Sequence, residues 1–369
     1  MKAALLTVFL LGCVGAVREW REPTPHPLRT GPYVMVIGDE ALIAFRPYRV
    51  QQAVVEWISD AQHGRVTATC NGDLCSATLA NLPRDELINY KVFLDGKEAG
   101  LGSFRNGITA GETFRFAVFG DTRTNHQVHR SVVEAVAKEN IDFFLHTGDM
   151  VERGGIADQW VTYFQIERPL LMKAPIMPSI GNHDLGNRGY YSRFFFLDKW
   201  TGSRNFFYTD WGNVRLVAMD VTIICEKRCR QYHFVRAALE EAAKDGKLIV
   251  MFMHNPPYSS GAHGSDLQLR SVVGELAKRY GVELVVTGHD HDYERTKPIA
   301  GTTYLVSGSA GAPIRPVHPR PFTAAARTEP HYVLVDIDGN QLTLRAINLR
   351  GEVFDSTVIP ANPPGGPPP

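Results

Sequence analysis

Neither sign of charge is in excess in this chain: 39 Lys and Arg stand against 39 Asp and Glu, a formal net charge of zero over 369 residues. Nucleic-acid binders draw much of their affinity from a basic surface, and no nucleic-acid surface is evident here. Cysteine is scarce, with 5 in the chain, and none are paired at the C-x-x-C spacing of structural zinc sites. Beyond the first twenty residues no apolar run is long enough to cross a bilayer. There is no internal repeat. What remains is ordinary globular composition, 44% hydrophobic and 21% charged, at a length that points to two domains.

The first residues, MKAALLTVFLLGCVGAVREW, place Lys2 before a short apolar core and then small residues. This is the pattern of a secretory signal, read here as residues 1–16. Two processing outcomes stay open. LLGC at Leu10–Cys13 resembles the lipobox of bacterial lipoproteins, with cleavage before Cys13 and a lipid anchor, although Leu11 is unusual there. Ordinary cleavage after Ala16 is the alternative. Either way the protein is expected to be exported: periplasmic, secreted or lipid-anchored in a bacterial cell envelope. Cys70, Cys75, Cys225 and Cys229 then form an even set. TCNGDLCS and CEKRC fit two local disulfides, the first across an Asn-Gly turn.

Residues 17–32 read as a proline-rich linker. From 33 to 110 short alternating runs such as QAVVEWIS, RVTATC and INYKVFLDG, with no helical pattern, read as a small all-β sandwich. LANLPRDELINYKVFLDG resembles the fibronectin type III pattern, with Leu82, Pro83 and Tyr90 at its corner. Trp57 fits a core tryptophan. From 111 to 361 strand-like runs alternate with helical patterns, HRSVVEAVAKEN, HFVRAALEEAAKDG and LQLRSVVGELAKRYG. That alternation indicates a layered α/β domain. Residues 362–369 are too rich in proline and glycine to pack and are expected to be disordered.

Chemistry-bearing residues end five apolar runs. FRFAVFGD ends at Asp121, IDFFLHTGD at Asp149, and APIMPSIGNHD at Asn182, His183 and Asp184. KLIVMFMHN brings His254, and VELVVTGHDH brings His289 and His291. Each alone reads as a turn residue or helix cap. Together, at the carboxyl ends of strands where ligands gather in open α/β sheets, they can converge on one site. Oxygen and imidazole donors without thiolate suit Mn, Fe or Zn. If GHDHD continues as a strand, His289 and His291 share one face while Asp290 and Asp292 take the other, as structural or supporting groups.

In order, GD…GD…GNHD…H…GHDH resembles the calcineurin-like metallophosphoesterases, and the preceding fibronectin-like domain brings the resemblance closer to the purple acid phosphatases. That resemblance implies a β-sandwich core flanked by helices and two divalent or trivalent metal ions, Fe, Mn or Zn. By it Asp149 would bridge the ions. Asn182, His254 and His289 would complete one site, and Asp121 and His291 would serve the other. His183, paired with Asp184, would be the catalytic acid. A phosphorylated small molecule would be the substrate. The implied function is phosphomonoester hydrolysis. The alternatives are a phosphodiesterase or nucleotide hydrolase on the same site, or a catalytically inactive binding protein of the cell envelope.

Two positions depart from the family pattern. Glu152 stands where purple acid phosphatases carry the tyrosine that gives their colour, so no purple colour is expected. Arg123 stands where the broader family has a histidine ligand, and a guanidinium cannot ligate a metal. His126 or His129 could fill that gap, or merely decorate the following helix. Arg123, Arg153 and His263 are candidates for substrate phosphate, since guanidinium forks match phosphate geometry. His146 and Tyr293 fit packing roles.

Overall fold

The computed structural model describes residues 26–107, 113–187, 189–195, 205–223, 227 and 229–363. The expected signal peptide with Cys13, Cys225, and residues 364–369 of the tail lie outside the described residues. No helix of the described residues is long and apolar enough to cross a membrane.

The first eight strands make two four-stranded sheets. One is ordered β1 (Leu28–Ile37), β2 (Glu40–Pro47), β6 (Leu74–Leu79), β5 (Thr69–Asn71); the other β4 (His63–Thr67), β3 (Ala53–Ile58), β7 (Leu87–Leu94), β8 (Lys97–Arg105). Alternation sorts the residues of β7: Ile88, Tyr90 and Val92 are buried, Leu87, Asn89 and Lys91 exposed. Leu28 and Thr30, inside the stretch read as a linker, instead pair with Pro47 and Arg46. They are drawn in because both are buried. Cys70 and Cys75 are joined across the β5–β6 turn. Cys229 is also disulfide-bonded. Trp57 is half-buried, packed on the core with its indole lying across Gly64.

Two larger sheets follow. A six-stranded sheet is ordered β11 (Ile176–Pro178), β10 (Phe143–His146), β9 (Phe114–Phe119), β19 (His331–Asp338), β20 (Gln341–Asn348), β21 (Val353–Pro360), with β9, β10 and β11 parallel. A seven-stranded sheet is ordered β12 (Phe207–Trp211), β13 (Val214–Ala218), β14 (Leu248–Phe252), β15 (Leu284–Thr287), β17 (Thr303–Ser307), β16 (Tyr293–Thr296), β18 (Thr323–Arg327), with β13, β14, β15 and β17 parallel. Period-two alternation splits the second sheet between two cores. Val250, Phe252, Leu284 and Val286 join the core shared with the six-stranded sheet. Ile249, Met251, Met253 and Val285 instead meet α4 (Arg230–Lys244) and α5 (Leu267–Tyr280) in a separate cluster. The helices read from sequence correspond to α1 (His126–Val136), α4 and α5.

The sequence patterns do not disclose α2 (Ala157–Leu171), because apolar residues lie nearly all around it. Trp160, Tyr163, Phe164, Ile166, Leu170 and Leu171 are all buried. The cause is the sandwich, whose β1 lies against this helix. Tyr33 of β1 stacks on Phe164 at 4.8 Å between ring centroids and donates its hydroxyl to the Phe194 carbonyl at 2.7 Å, from α3 (Tyr190–Phe194). Arg46 lies over the Phe194 ring and, with Arg193, grips Asp73. A single apolar cluster runs through both domains, so they pack as one body.

Tyr33→Ala removes a buried ring at this junction and is expected to destabilise the protein by about 3–5 kcal/mol. Denaturant unfolding should stay a single transition for sandwich and α/β domain alike. Two separated transitions in the wild type would refute the shared core.

Candidate metal centre

The parallel strands β9, β10 and β11 of one sheet and β14 and β15 of the other deliver their carboxyl ends to one place. The chain turns sharply there. Asp121, Asp149 and His289 all have left-handed backbones, with φ of 55°, 53° and 69°. Non-glycine residues seldom adopt this conformation, and such strain concentrates at functional sites. GHDHD is therefore not an extended strand, since β15 ends at Thr287 and the left-handed turn at His289 breaks the alternation. Two glycines make the close approach feasible. A Cβ at Gly181 would sit 2.2 Å from Asp149 Oδ1, and one at Gly288 would sit 2.3 Å from Asp121 Oδ2.

Three donor atoms gather at His254 Nε2. His254 Nε2 lies 3.1 Å from Asn182 Oδ1, 3.2 Å from His289 Nδ1 and 3.3 Å from Asp149 Oδ1. Asp121, Asp149 and His254 also each present a ligand atom within 4.8 Å of the others'. The opposite nitrogen of His254, Nδ1, donates to the Thr147 carbonyl at 2.8 Å, which turns Nε2 into the cluster. Asp121 Oδ1 is buried with no hydrogen-bond partner. An uncompensated buried carboxylate oxygen is costly, so this orphan argues for a cation nearby.

The electrostatics agree. Burial pushes the Asp121 carboxyl well above the carboxylate range, and Asp149 adds to this against the pull of His254. Burial would also raise Asp149, but His254 and the His183 amide hold it low. His254 is disfavoured as a cation by burial, yet Asp149 and Asp121 raise it to about 10. A divalent ion beside Nε2 would balance the same buried carboxylates, and the oxygen–imidazole set suits Mn, Fe or Zn.

The Asp121 side is different. His291 donates from Nδ1 to the Pro313 carbonyl at 2.7 Å, leaving Nε2 as a lone pair 3.6 Å from Asp121 Oδ1. The guanidinium of Arg123 stands among these donors. It donates to Asp149 Oδ2 at 3.2 Å, to Glu152 Oε2 at 2.5 Å and toward His291 Nε2 at 3.4 Å. The guanidinium thus stands on the side where the resemblance puts the second ion. Both candidate histidines line a cavity together with Arg123 and Glu152, and neither has a hydrogen bond to Arg123. His129 is buried against Glu167 at 2.8 Å, between α1 and α2, and His126 is exposed.

His183 hydrogen-bonds the Glu152 carbonyl through Nδ1 at 2.8 Å and not Asp184. Asp184 is unavailable to it, because it accepts the amides of Met150 at 2.8 Å, Val151 at 3.3 Å and Gly181 at 2.9 Å. It ties the second and third motif loops together. Asp290 does similar work, accepting the His263 amide at 2.7 Å and the His263 ring at 3.0 Å. His263 in turn stacks on His289 at 4.2 Å. Arg153 is exposed on the loop between Asp149 and α2. Arg315 was not anticipated; it reaches His263 Nε2 at 2.7 Å from the loop after β17. An arginine in a proline-rich loop offered no signal of its own.

Residues 114–293 match the family described as calcineurin-like phosphoesterase. Purple acid phosphatase 21 of Arabidopsis thaliana is 28% identical over 53% of this chain and 49% of its own. An uncharacterized protein of Mycobacterium tuberculosis is 26% identical over 61% of this chain and 51% of its own. The chain thus spans about half the length of these curated relatives. The purple acid phosphatase PPD1 from yellow lupin (Lupinus luteus) shares the fold, with a TM-score of 0.80 at 19% identity over 90% of this chain and 74% of that one.

Asp184→Asn exchanges a three-amide acceptor for a side chain with one acceptor oxygen. Leaving buried amides unpaired is expected to cost about 1–3 kcal/mol. Thermal melts with and without Mn should show the metal-induced stabilisation shrinking as well, because the Asp149 loop loses its tie. An unchanged metal shift would refute the positioning role.

Proposed function

We propose that the chain, whose residues 114–293 match the calcineurin-like phosphoesterases and which is similar to purple acid phosphatases, hydrolyses phosphate monoesters as an exported, metal-dependent enzyme. The observation that carries this reading is the gathering of Asp149, Asn182 and His289 donor atoms within 3.3 Å of His254 Nε2, with Asp121 in the same cluster. An ion bound there supplies Lewis acidity toward a phosphoryl oxygen. Export is supported by the apolar leader and by the Cys70–Cys75 disulfide, which persists in oxidising compartments.

The residues of the chain handle the proton and the anion. A carbonyl oxygen only accepts, so the His183–Glu152 contact puts the hydrogen on Nδ1 of His183. Its Nε2 is then free to carry a second proton. That nitrogen lies 4.0 Å from Asp149 Oδ2, on a ring 28% exposed. It is therefore placed to protonate a departing alkoxide beside the metal point. His263 and Arg315 line the approach and can meet the phosphate charge, with Arg153 further out on its loop. A specific observation sustains a second reading, that of a catalytically inactive binding protein: a cation of the chain already stands on the Asp121 side.

Purified protein loaded with Mn, Fe or Zn should turn over p-nitrophenyl phosphate faster than bis(p-nitrophenyl) phosphate. Turnover of the diester alone would replace the monoesterase reading, and turnover of neither would favour the binding protein. His183→Ala is expected to lower kcat by about 10²–10⁴ on alkyl phosphates. The loss should be smaller on p-nitrophenyl phosphate, whose leaving group departs without a proton. Equal losses on both would remove the acid role from His183.

A further inference from the structure

We propose that the guanidinium of Arg123 permanently occupies the Asp121-side cation position, so that the protein holds one metal ion where the family pattern implies two. This rests on the reading of the cluster as a metal centre. It says nothing about which ester is cleaved.

The contacts divide Asp149 cleanly. Its Oδ1 faces His254 Nε2 at 3.3 Å and accepts the His183 amide at 2.9 Å, while its Oδ2 accepts Arg123 Nε at 3.2 Å. One carboxylate therefore spans two positive centres, of which one is covalently part of the chain. His291 presents a lone pair to the same position, and it meets an N–H of Arg123 at 3.4 Å. This cation is tethered to the chain, so an incoming ion would have to displace it from its three acceptors.

Glu152 holds the guanidinium in place. Its Oε2 accepts Arg123 at 2.5 Å and the Thr124 hydroxyl at 2.8 Å. The two positions that depart from the family pattern, 123 and 152, are thus partners in one ion pair. A lone arginine could swing out to solvent; one that is 8% exposed and anchored at three acceptors is built in. Asp121 is not stranded by this arrangement. It presents a ligand atom within 4.8 Å of those of Asp149 and His254, so it can serve the single ion.

The test is metal stoichiometry. Stripped full-length protein is saturated with Mn, passed through a desalting column and assayed by mass spectrometry for metal, with electron paramagnetic resonance on the same sample. One Mn per chain with an uncoupled signal is expected. Two Mn per chain with an exchange-coupled signal would overturn the proposal. Arg123→His, which substitutes a ligand for the cation, should raise the count from one to two. A folded Arg123→His protein that still binds one Mn would show that the guanidinium is not what excludes the second ion. Should that variant fail to fold, anomalous diffraction from Mn-loaded wild-type crystals decides the question. A single peak among Asn182, His254 and His289 is expected, and a second peak beside His291 would refute it. Two ions with phosphatase activity would sink this inference and leave the proposed function standing. One ion with no ester hydrolysed would do the reverse.

Discussion

A carboxylate buried where two sheets meet must be matched by positive charge, and Asp149 is that carboxylate. It is 1% exposed, and ionising it in such a place without a partner would be prohibitive. The surrounding structure answers on both sides. His254 faces one oxygen and Arg123 the other. The left-handed turns at Asp121, Asp149 and His289, and the glycines that let them approach, are affordable only because the two sheets and their helices hold these loops from behind.

That rigidity extends beyond the α/β domain. The site loops after β10 and β11 are held at their far ends by α2 and α3, and those helices bury their aromatic faces against β1 of the sandwich. Through this packing the small domain supports the loop carrying Asp149 and Glu152 and the loop carrying His183, although none of its described residues contributes a side chain to the metal centre. Its role in this structure is mechanical, exerted through the shared apolar core.

Much of this was legible in the sequence because strand ends announce themselves. Apolar β-branched runs that stop at Gly-Asp, Gly-Asn-His or Gly-His mark both the buried strand and the residue it delivers. The alternation argument for GHDHD failed in its premise, since His289 turns left-handed, yet both imidazoles still arrive at the site. That His183 turns to the Glu152 carbonyl and not to Asp184 was not legible. Neighbours in sequence need not touch, and backbone amides of the second motif claim Asp184 first. Nor was α2, whose apolar residues face two partners at once and so lose the one-sided pattern by which surface helices are read.

The sequence by itself determined the inventory: which donors exist, which strands end in them, and that positions 123 and 152 carry opposite charges where ligands are usual. Those are local properties, set by residue type and periodicity. Only the tertiary structure decided that Arg123 and Glu152 face each other across the Asp149 carboxylate, because their contact depends on how two parallel strands are set side by side. The register of β9 against β10 brings the two loops together. No spacing along the chain encodes that register.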